Sequence, residues 1–294
     1  QGAIVSGSAL TRAVVRDMHE PRAATSMMGY VSSAMAIAPM LGPMLGGLLD
    51  EMFGWRANFA VFALFGVGIF ILCWRDLGET NNAKSETFSK QFRTYPELIR
   101  SRRFWGYSAC SAFSIGSFYT FLAGAPLVAK TILHLPPAML GISIGLITSG
   151  FFVGTFVSGR IAARYALTTM MLAGRFIACG GLILGLGVFA LGYLNVFTLF
   201  GSVIFVGIGN GLTVPSAGVG ALSVRPQLAG SASGLSGALT VAGGAVMSSL
   251  GGALIGGDRA AHILLLMMLA SAFLGLLSAA YVWRIDQKAG AAAT

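Results

Sequence analysis

Long apolar runs alternate with short polar stretches along the chain, and this pattern predicts a bundle of membrane-spanning helices. Most of these runs are near or above the roughly 20 residues that a helix needs to cross a bilayer, although the first is shorter. The segments cover residues 1–15, 25–49, 57–74, 104–129, 138–159, 170–193, 196–222, 229–256 and 263–283. We therefore expect an all-α polytopic membrane protein with nine hydrophobic segments.

One long polar connection, residues 75–103, interrupts this pattern. It holds seven basic and four acidic residues. We expect it to be a cytoplasmic loop between two helix bundles. Residues 1–74, with three segments, then form the remainder of an N-terminal bundle, and residues 104–294 form a C-terminal six-helix bundle.

The distribution of Lys and Arg predicts the orientation, since cytoplasmic loops of membrane proteins are enriched in basic residues. If the first segment ends in the cytoplasm, 16 of the 19 basic residues lie on the inner side. Arg175 falls inside a segment and is assigned to the nearer, inner end. Only Arg56, Lys130 and Arg259 then lie outside, and the C-terminus is cytoplasmic.

The composition agrees with a membrane protein and excludes several other classes. The 294 residues are 55% hydrophobic and 10% charged, with 41 glycines, which no soluble domain of this size matches. A net charge of +9 then reflects cytoplasmic loops rather than nucleic-acid binding. The three cysteines form no C-x-x-C pair, and no P-loop, nucleophile elbow or metal cluster is present. We expect no enzyme activity, cofactor or metal.

Small residues recur every fourth position through the second segment, at Ala34, Ala38, Gly42 and Gly46. Residues at this spacing share one face of a helix, and a ridge of small residues allows another backbone to approach closely. Two prolines in the same stretch remove backbone donors and should bend the helix. We expect this ridge to contact another helix. The alternative is an ordinary tightly packed membrane helix.

The stretch from Ala38 to Gly47 resembles the antiporter motif, G-x-x-x-G-P-x-x-G-G, on the fifth helix of major facilitator drug:proton antiporters. Ala38 replaces the first glycine of the motif. The residues that this resemblance assigns to the motif are Ala38, Pro39, Gly42, Pro43, Gly46 and Gly47.

Other stretches resemble the Bcr/CflA (bicyclomycin-resistance) subfamily in the same order. Gln1 and Gly2 are similar to the end of its fourth-helix motif, and residues 103–107 and 229–235 to its seventh and eleventh helices. Gly159, Arg160 and Arg164 are similar to its cytoplasmic loop motif, whose acidic residue is Ala163 here. That replacement makes a complete charge relay in this loop doubtful.

The resemblance implies the major facilitator fold, in which two halves of six helices each are related by a repeat. A shift of 205 residues gives seven identities over residues 24–49, including Gly46 with Gly251 and Gly47 with Gly252. Six segments follow the long loop and only three precede it. We therefore expect that about three N-terminal helices of the fold are not in this chain.

Polar and aromatic residues within the segments are the candidates for a substrate cavity. They are Tyr119, Phe113, Asn210, Ser233, Ser236 and Thr240. Asn210 has the alternative role of a hydrogen bond between helices, the aromatic residues that of packing, and the hydroxyl groups that of bonding back to their own helix. No Asp or Glu lies within a segment, so the proton-carrying residues should lie elsewhere.

These features together predict a monomeric carrier in a bacterial inner membrane, with lipids around it and a small molecule as its substrate. The resemblance implies export of drugs or amphipathic metabolites by proton antiport and alternating access. Two alternatives remain: a sugar or metabolite carrier of the same fold, and a truncated membrane protein that does not transport.

Overall fold

The computed structural model describes residues 14, 18, 41, 42, 44–76, 96, 98–161, 164–225, 228–257 and 259–291. Seven helices within this part are long and apolar enough to cross a membrane. They are α1 (Trp55–Asp76), α2 (Arg102–Thr131), α3 (Pro137–Ile161), α4 (Leu167–Ala190), α5 (Val196–Ser223), α6 (Ala229–Leu254) and α7 (Ala260–Ala291).

These helices confirm the predicted all-α fold, and each covers one predicted segment with small shifts at its ends. The largest difference is α7, which continues to Ala291, eight residues beyond the predicted end at 283. Nearly all of the first predicted segment and most of the second lie outside the described residues. In the second predicted segment, residues 44–53 are helical, so this helix ends four residues after the predicted end at 49.

Polar side chains determine where several helices begin. At the start of α5, Asn195 accepts a hydrogen bond from the backbone N–H of Thr198 at 3.0 Å, and the Thr198 hydroxyl accepts one from the backbone N–H of Asn195. This reciprocal capping satisfies backbone donors that the first turn leaves free. Ser101 accepts a hydrogen bond from the N–H of Phe104 in the same way at the start of α2.

Helices α2 to α7 pack into one bundle around two apolar cores. Helix α5 packs against α3, α4 and α2, whereas α2 also packs against α6 and α7. The larger core includes Phe121, Leu182 and Val203, and the smaller one surrounds Phe104 and Met171 near the other end of the bundle. These are the six helices that the sequence assigns to the C-terminal bundle, whose boundaries stay predictions.

Glycines bring α5 into backbone contact with the helices on both sides. A Cβ added at Gly211 would lie 2.5 Å from the backbone nitrogen of Thr155 on α3, closer than real Cβ atoms approach. A Cβ added at Gly174 on α4 would lie 2.5 Å from the carbonyl oxygen of Gly209 on α5. Such close approach is typical of helix pairs in lipid, where small residues form the contact.

The small-residue stretch of the second segment contacts α3 through Gly47, which lies next to the predicted ridge. A Cβ at Gly47 would lie 2.6 Å from the carbonyl oxygen of Pro137 and 3.2 Å from the Cα of Gly141. Among the described residues, a Cβ at Gly42 would meet nothing within 4 Å, and one at Gly46 would only reach the side chain of Asn58 at 3.5 Å. The predicted close approach along the ridge of Gly42 and Gly46 stays a prediction, since most of this segment lies outside the described residues. Gly47 is offset by about 100° around the helix from Gly46.

Helix α1 has no buried residue among those described, and large apolar side chains such as Phe62 and Trp74 are exposed on it. This pattern is what a lipid-facing helix shows, since lipid tails solvate apolar side chains as well as a protein core does.

The start of α2 is joined to the end of α7 by a polar cluster. The guanidinium of Arg103 forms an ion pair with Asp286, with Nε and Oδ1 2.8 Å apart. The hydroxyl of Tyr107 donates to the other carboxylate oxygen of Asp286, also at 2.8 Å. The Tyr107 ring is buried and packs over Gly220 of α5. This cluster fixes three helices together at one end of the bundle.

Candidate cavity and buried arginine

A cavity of about 180 Å³ lies between α2, α3 and α5. Its wall is almost entirely apolar, with two phenylalanine rings, and Thr148 and Asn210 are its polar residues. It is lined by Ile115, Phe118, Ile147, Thr148, Phe151, Gly207 and Asn210. A concave apolar site with a few polar groups is the usual form of a small-molecule site.

Asn210 joins this cavity to the other helices of the bundle. Its side-chain nitrogen donates to the carbonyl oxygen of Ser114 on α2 at 3.0 Å. Its Oδ1 accepts a hydrogen bond from Nη2 of Arg175 on α4 at 2.6 Å. The amide orientation follows from chemistry, because a guanidinium can only donate and must face the oxygen. Asn210 thus has both the predicted place in a cavity wall and the alternative role between helices.

Arg175 is completely buried at the meeting point of α4 and α5. Besides its bond to Asn210, its Nε donates to the Thr213 hydroxyl at 3.0 Å. A Cβ at Gly275 on α7 would lie 3.2 Å from Cδ of Arg175, so that glycine leaves room for the arginine. Arg175 is therefore a buried side chain rather than a loop residue, and its assignment to the nearer, inner end of the segment stays a prediction. Without it, 15 basic residues remain on the predicted inner side and three on the outer side, which leaves the predicted orientation unchanged.

The partners of Arg175 are neutral. Within the described part of the chain no carboxylate pairs with it, and its Nη1 is buried without a hydrogen-bond partner. Two buried cysteines, Cys110 and Cys179, lie close enough to interact with its charge. A charged side chain within a membrane protein is costly unless it is paired, and such residues commonly mark a functional site.

Two aromatic candidates from the sequence lie away from the cavity. The Tyr119 ring is 38% exposed and packs over Gly244 of α6. Phe113 lines a separate groove between α2 and α6. The aromatic side chain of α2 that does reach the cavity is Phe118, because it lies one residue, or about 100° of helix rotation, from Tyr119.

The three hydroxyl candidates on α6 also lie outside the cavity lining. Thr240 donates to the carbonyl oxygen of Ser236 at 2.8 Å, which is the bond to its own helix that the sequence left as an alternative. Ser236 is buried and Ser233 is half-buried. Since α6 does not contribute to the cavity wall, these residues have no contact with it.

The loop-motif residues lie at the end of α3 and in the turn after it. Gly159 has open space where a Cβ would be, and the Arg160 guanidinium stacks over the Phe156 ring at 3.9 Å. Arg164 is exposed, and its N–H bonds to the carbonyl oxygen of Ile161. Several other motif residues lie outside the described residues: Gln1, Gly2, Ala38, Pro39 and Pro43.

The sequence interpretation missed the residues that complete this site. Arg175 lies five residues after the start of the predicted segment at 170, and this position inside an apolar run was the signal available for a buried charge. Gly207, which lines the cavity beside Asn210, was not among the candidates, because a glycine has no side chain to mark it as a ligand contact. Which face of α5 meets which neighbour depends on packing between distant segments.

Curated relatives match most of this chain. It is 27% identical over 260 residues to the uncharacterized MFS-type transporter YdgK of Bacillus subtilis, covering 84% of this chain and 62% of the relative. It is 26% identical to the bicyclomycin resistance protein homolog of Haemophilus influenzae, covering 82% and 61%. It is also 26% identical to multidrug resistance protein D of Escherichia coli, covering 83% and 61%. The predicted resemblance to bicyclomycin-resistance transporters is confirmed, and the chain spans about three-fifths of the length of these relatives.

Solved transporter structures share the fold. A bacterial homolog of the human lysosomal transporter Spinster, in an inward-facing state, matches 94% of this chain and 74% of its own with a TM-score of 0.64 and 15% identity. A bacterial homologue of the iron transporter ferroportin matches 92% and 66%, with a TM-score of 0.64 and 16% identity. The Major Facilitator Superfamily profile matches residues 1–184. The match covers more than half of the sequence, so this chain belongs to the Major Facilitator Superfamily.

Proposed function

We propose that the protein carrying this chain is a secondary active transporter that exports small amphipathic molecules, drugs among them, from a bacterial cell. The observation that carries this proposal is the apolar cavity between α2, α3 and α5 in a chain of this superfamily. Relatives named for multidrug and bicyclomycin resistance support an amphipathic substrate. The transporter works as a monomer in the inner membrane, with its C-terminus in the cytoplasm.

The lining favours an apolar substrate over a sugar. A sugar needs many polar partners, because each hydroxyl that is buried without a hydrogen bond is costly. The cavity wall offers the side chains of Thr148 and Asn210, and Asn210 already bonds to Ser114 and Arg175. Two phenylalanine rings and two isoleucines instead suit an aromatic or aliphatic body.

Alternating access by rocking of two helix bundles, with protons as the exchanged ion, completes the proposed mechanism. The contact between Gly47 and the start of α3 supports a moving interface, since it joins the second segment to a helix that walls the cavity. Protons need a titratable group within the membrane, and the hydrophobic segments of this chain contain no Asp or Glu. The proton carrier is therefore proposed to lie outside these 294 residues.

Export of radiolabelled chloramphenicol from cells that express the protein tests the proposal. Phe151 lines the cavity, whereas its neighbour Phe152 is 41% exposed on the surface of α3. We expect Phe151→Ala to lower the export rate per molecule at least threefold, because it removes a ring from the cavity wall. Phe152→Ala is the matched control and should export at the wild-type rate.

Equal effects of the two substitutions would show that the cavity is not the substrate site. No export of chloramphenicol or of other amphipathic drugs by the wild-type protein would overturn the function itself and favour the nontransporting alternative.

A further inference from the structure

We infer that Arg175 makes this cavity selective for charge, so that it binds an amphipathic anion, with an apolar body and one carboxylate, and disfavours a cation of the same shape. This inference deepens the proposed function, on which it rests. It concerns the class of ligand that the cavity accepts.

The charge of Arg175 is permanent. A guanidinium stays protonated at any physiological pH, so the bundle holds one positive charge under all conditions of transport. The side chain is completely buried, and water therefore does not screen it. Its hydrogen-bond partners, Asn210 and Thr213, are neutral and leave the net charge uncompensated.

No described carboxylate is placed to compensate this charge. Asp286 is engaged by Arg103 and Tyr107 at the end of the bundle. The other acidic residues of the described part, Asp50, Glu51 and Asp76, belong to the first helical segments and not to the six-helix bundle. The Nη1 of Arg175 is also buried without a hydrogen-bond partner among the described residues.

Asn210 connects the positive charge of Arg175 to the cavity. Its oxygen accepts the 2.6 Å bond from Arg175, and this charge-assisted bond polarises the amide, making its nitrogen a stronger donor. Its amide nitrogen donates to the carbonyl oxygen of Ser114, which holds the amide between α2 and α4. Because Asn210 is part of an almost entirely apolar cavity wall, a ligand there lies against this residue with a full positive charge behind it, one hydrogen bond away.

This arrangement attracts a carboxylate and repels an ammonium group. The rings of Phe118 and Phe151 favour a cation through their faces. The charge of Arg175 has a larger effect on the ligand than these rings have. Its field is weakly screened in a medium of low dielectric constant and falls off slowly with distance. The apolar lining holds the body of the ligand whatever its charge.

The test uses three probes that differ only in their terminal group: 4-phenylbutyrate, 4-phenylbutanol and 4-phenylbutylamine. Each displaces fluorescent N-phenyl-1-naphthylamine from the purified protein in nanodiscs of neutral lipid, and protein-free nanodiscs give the blank. We expect the carboxylate to bind at least tenfold more tightly than the amine, about 1.4 kcal/mol, with the alcohol between them. An equal or reversed order, or no binding of any probe, would overturn the inference.

Two substitutions at one position separate charge from structure. Arg175→Lys keeps the charge and should keep the order of affinities. Arg175→Gln removes the charge and should make the affinities for the carboxylate and the amine equal. It should change the affinity for the alcohol less than threefold. Persistence of the order in Arg175→Gln would show that the arginine is only structural.

Further variants guard against misfolding and surface effects. Asn210→Asp places a carboxylate against Arg175 and should also abolish the preference for the anion, which tests the inference even if Arg175→Gln fails to fold. Arg160→Gln removes an exposed charge at the end of α3 and should leave all three affinities unchanged. Since the assay measures binding alone, loss of export with the order intact would refute the proposed transport and not the charge selectivity.

Discussion

At the scale of single residues, a side chain added at Gly47 meets backbone, whereas one added at Gly42 meets none of the described residues within 4 Å. We expect Gly47→Val to destabilise the protein by about 1–3 kcal/mol, the usual cost of overpacking a close contact. Gly42→Val lies on the same helix and is the control. Thermal unfolding in detergent, followed by tryptophan fluorescence, compares the two, and equal midpoints would contradict the contact with Pro137 and Gly141.

The hydroxyl of Tyr107 is a second single group that we expect to contribute to the stability of the bundle. Tyr107→Phe removes the hydrogen bond to Asp286 and keeps the buried ring. Since this bond is made to a charged group, we expect a loss of roughly 1–2 kcal/mol in the free energy of unfolding. Tyr281→Phe on α7 is the control, because the Tyr281 hydroxyl makes no hydrogen bond within the described residues. A loss at Tyr281 as large as that at Tyr107 would argue against the cluster.

Residue chemistry explains why the sequence predicted one member of the site and missed another. An asparagine deep in an apolar segment has few possible roles, so Asn210 was a candidate from its type alone. An arginine nearer a segment end is usually a loop residue whose long side chain reaches the membrane surface. Arg175 differs because Thr213, Asn210 and Gly275, from two other helices, provide the bonds and the space it needs.

At the scale of elements, the contact between α3 and α5 depends on glycine. We expect Gly211→Ala to separate these helices and destabilise the bundle by about 1–3 kcal/mol, since the added methyl group meets the backbone of Phe151 and Thr155. Gly218→Ala lies on the same helix, where the added methyl group meets none of the described residues within 4 Å, and it should be neutral or slightly stabilising. Denaturation in detergent distinguishes the two, and a larger loss for Gly218→Ala would contradict this packing.

The helices themselves followed closely from hydropathy, because every backbone group of a lipid-exposed segment has to be bonded within that segment. Which helices pack against each other could not be predicted from hydropathy. A stripe of small residues predicts close approach without identifying the neighbouring helix, and the contact of Gly47 with α3 could not be read from the stripe. A similar uncertainty, of rotation about the helix axis, separates Tyr119 from Phe118 at the cavity.

At the scale of the whole molecule, the orientation in the membrane is testable at the two ends of α3. On a background without Cys73, Cys110 and Cys179, we expect an impermeant maleimide outside the cell to label His134→Cys and not Tyr165→Cys. Both positions are exposed and lie in short connections. The reverse pattern of labelling would contradict the orientation drawn from the basic residues.

Energy coupling is a property of the whole transporter, and these 294 residues contain no acid within a hydrophobic segment. We expect this chain, reconstituted by itself in liposomes, to show no drug movement when a proton gradient is imposed. The control is the same preparation without a gradient, with nanodisc binding to show that the protein is folded. Gradient-driven transport would mean that a group in this chain carries the proton after all.

The buried guanidinium has an electrical consequence. Arg175 lies eight residues past the start of α4, roughly 12 Å along the helix, so it stands well inside the field across the membrane. Moving one charge through the whole field changes its energy by about 2.3 kcal/mol per 100 mV. Any rocking that shifts α4 along the membrane normal moves this charge through part of that field. In the proposed alternating access, the balance between the two conformations would then depend on membrane voltage even when no ion is transported, and Arg175 would act as a gating charge.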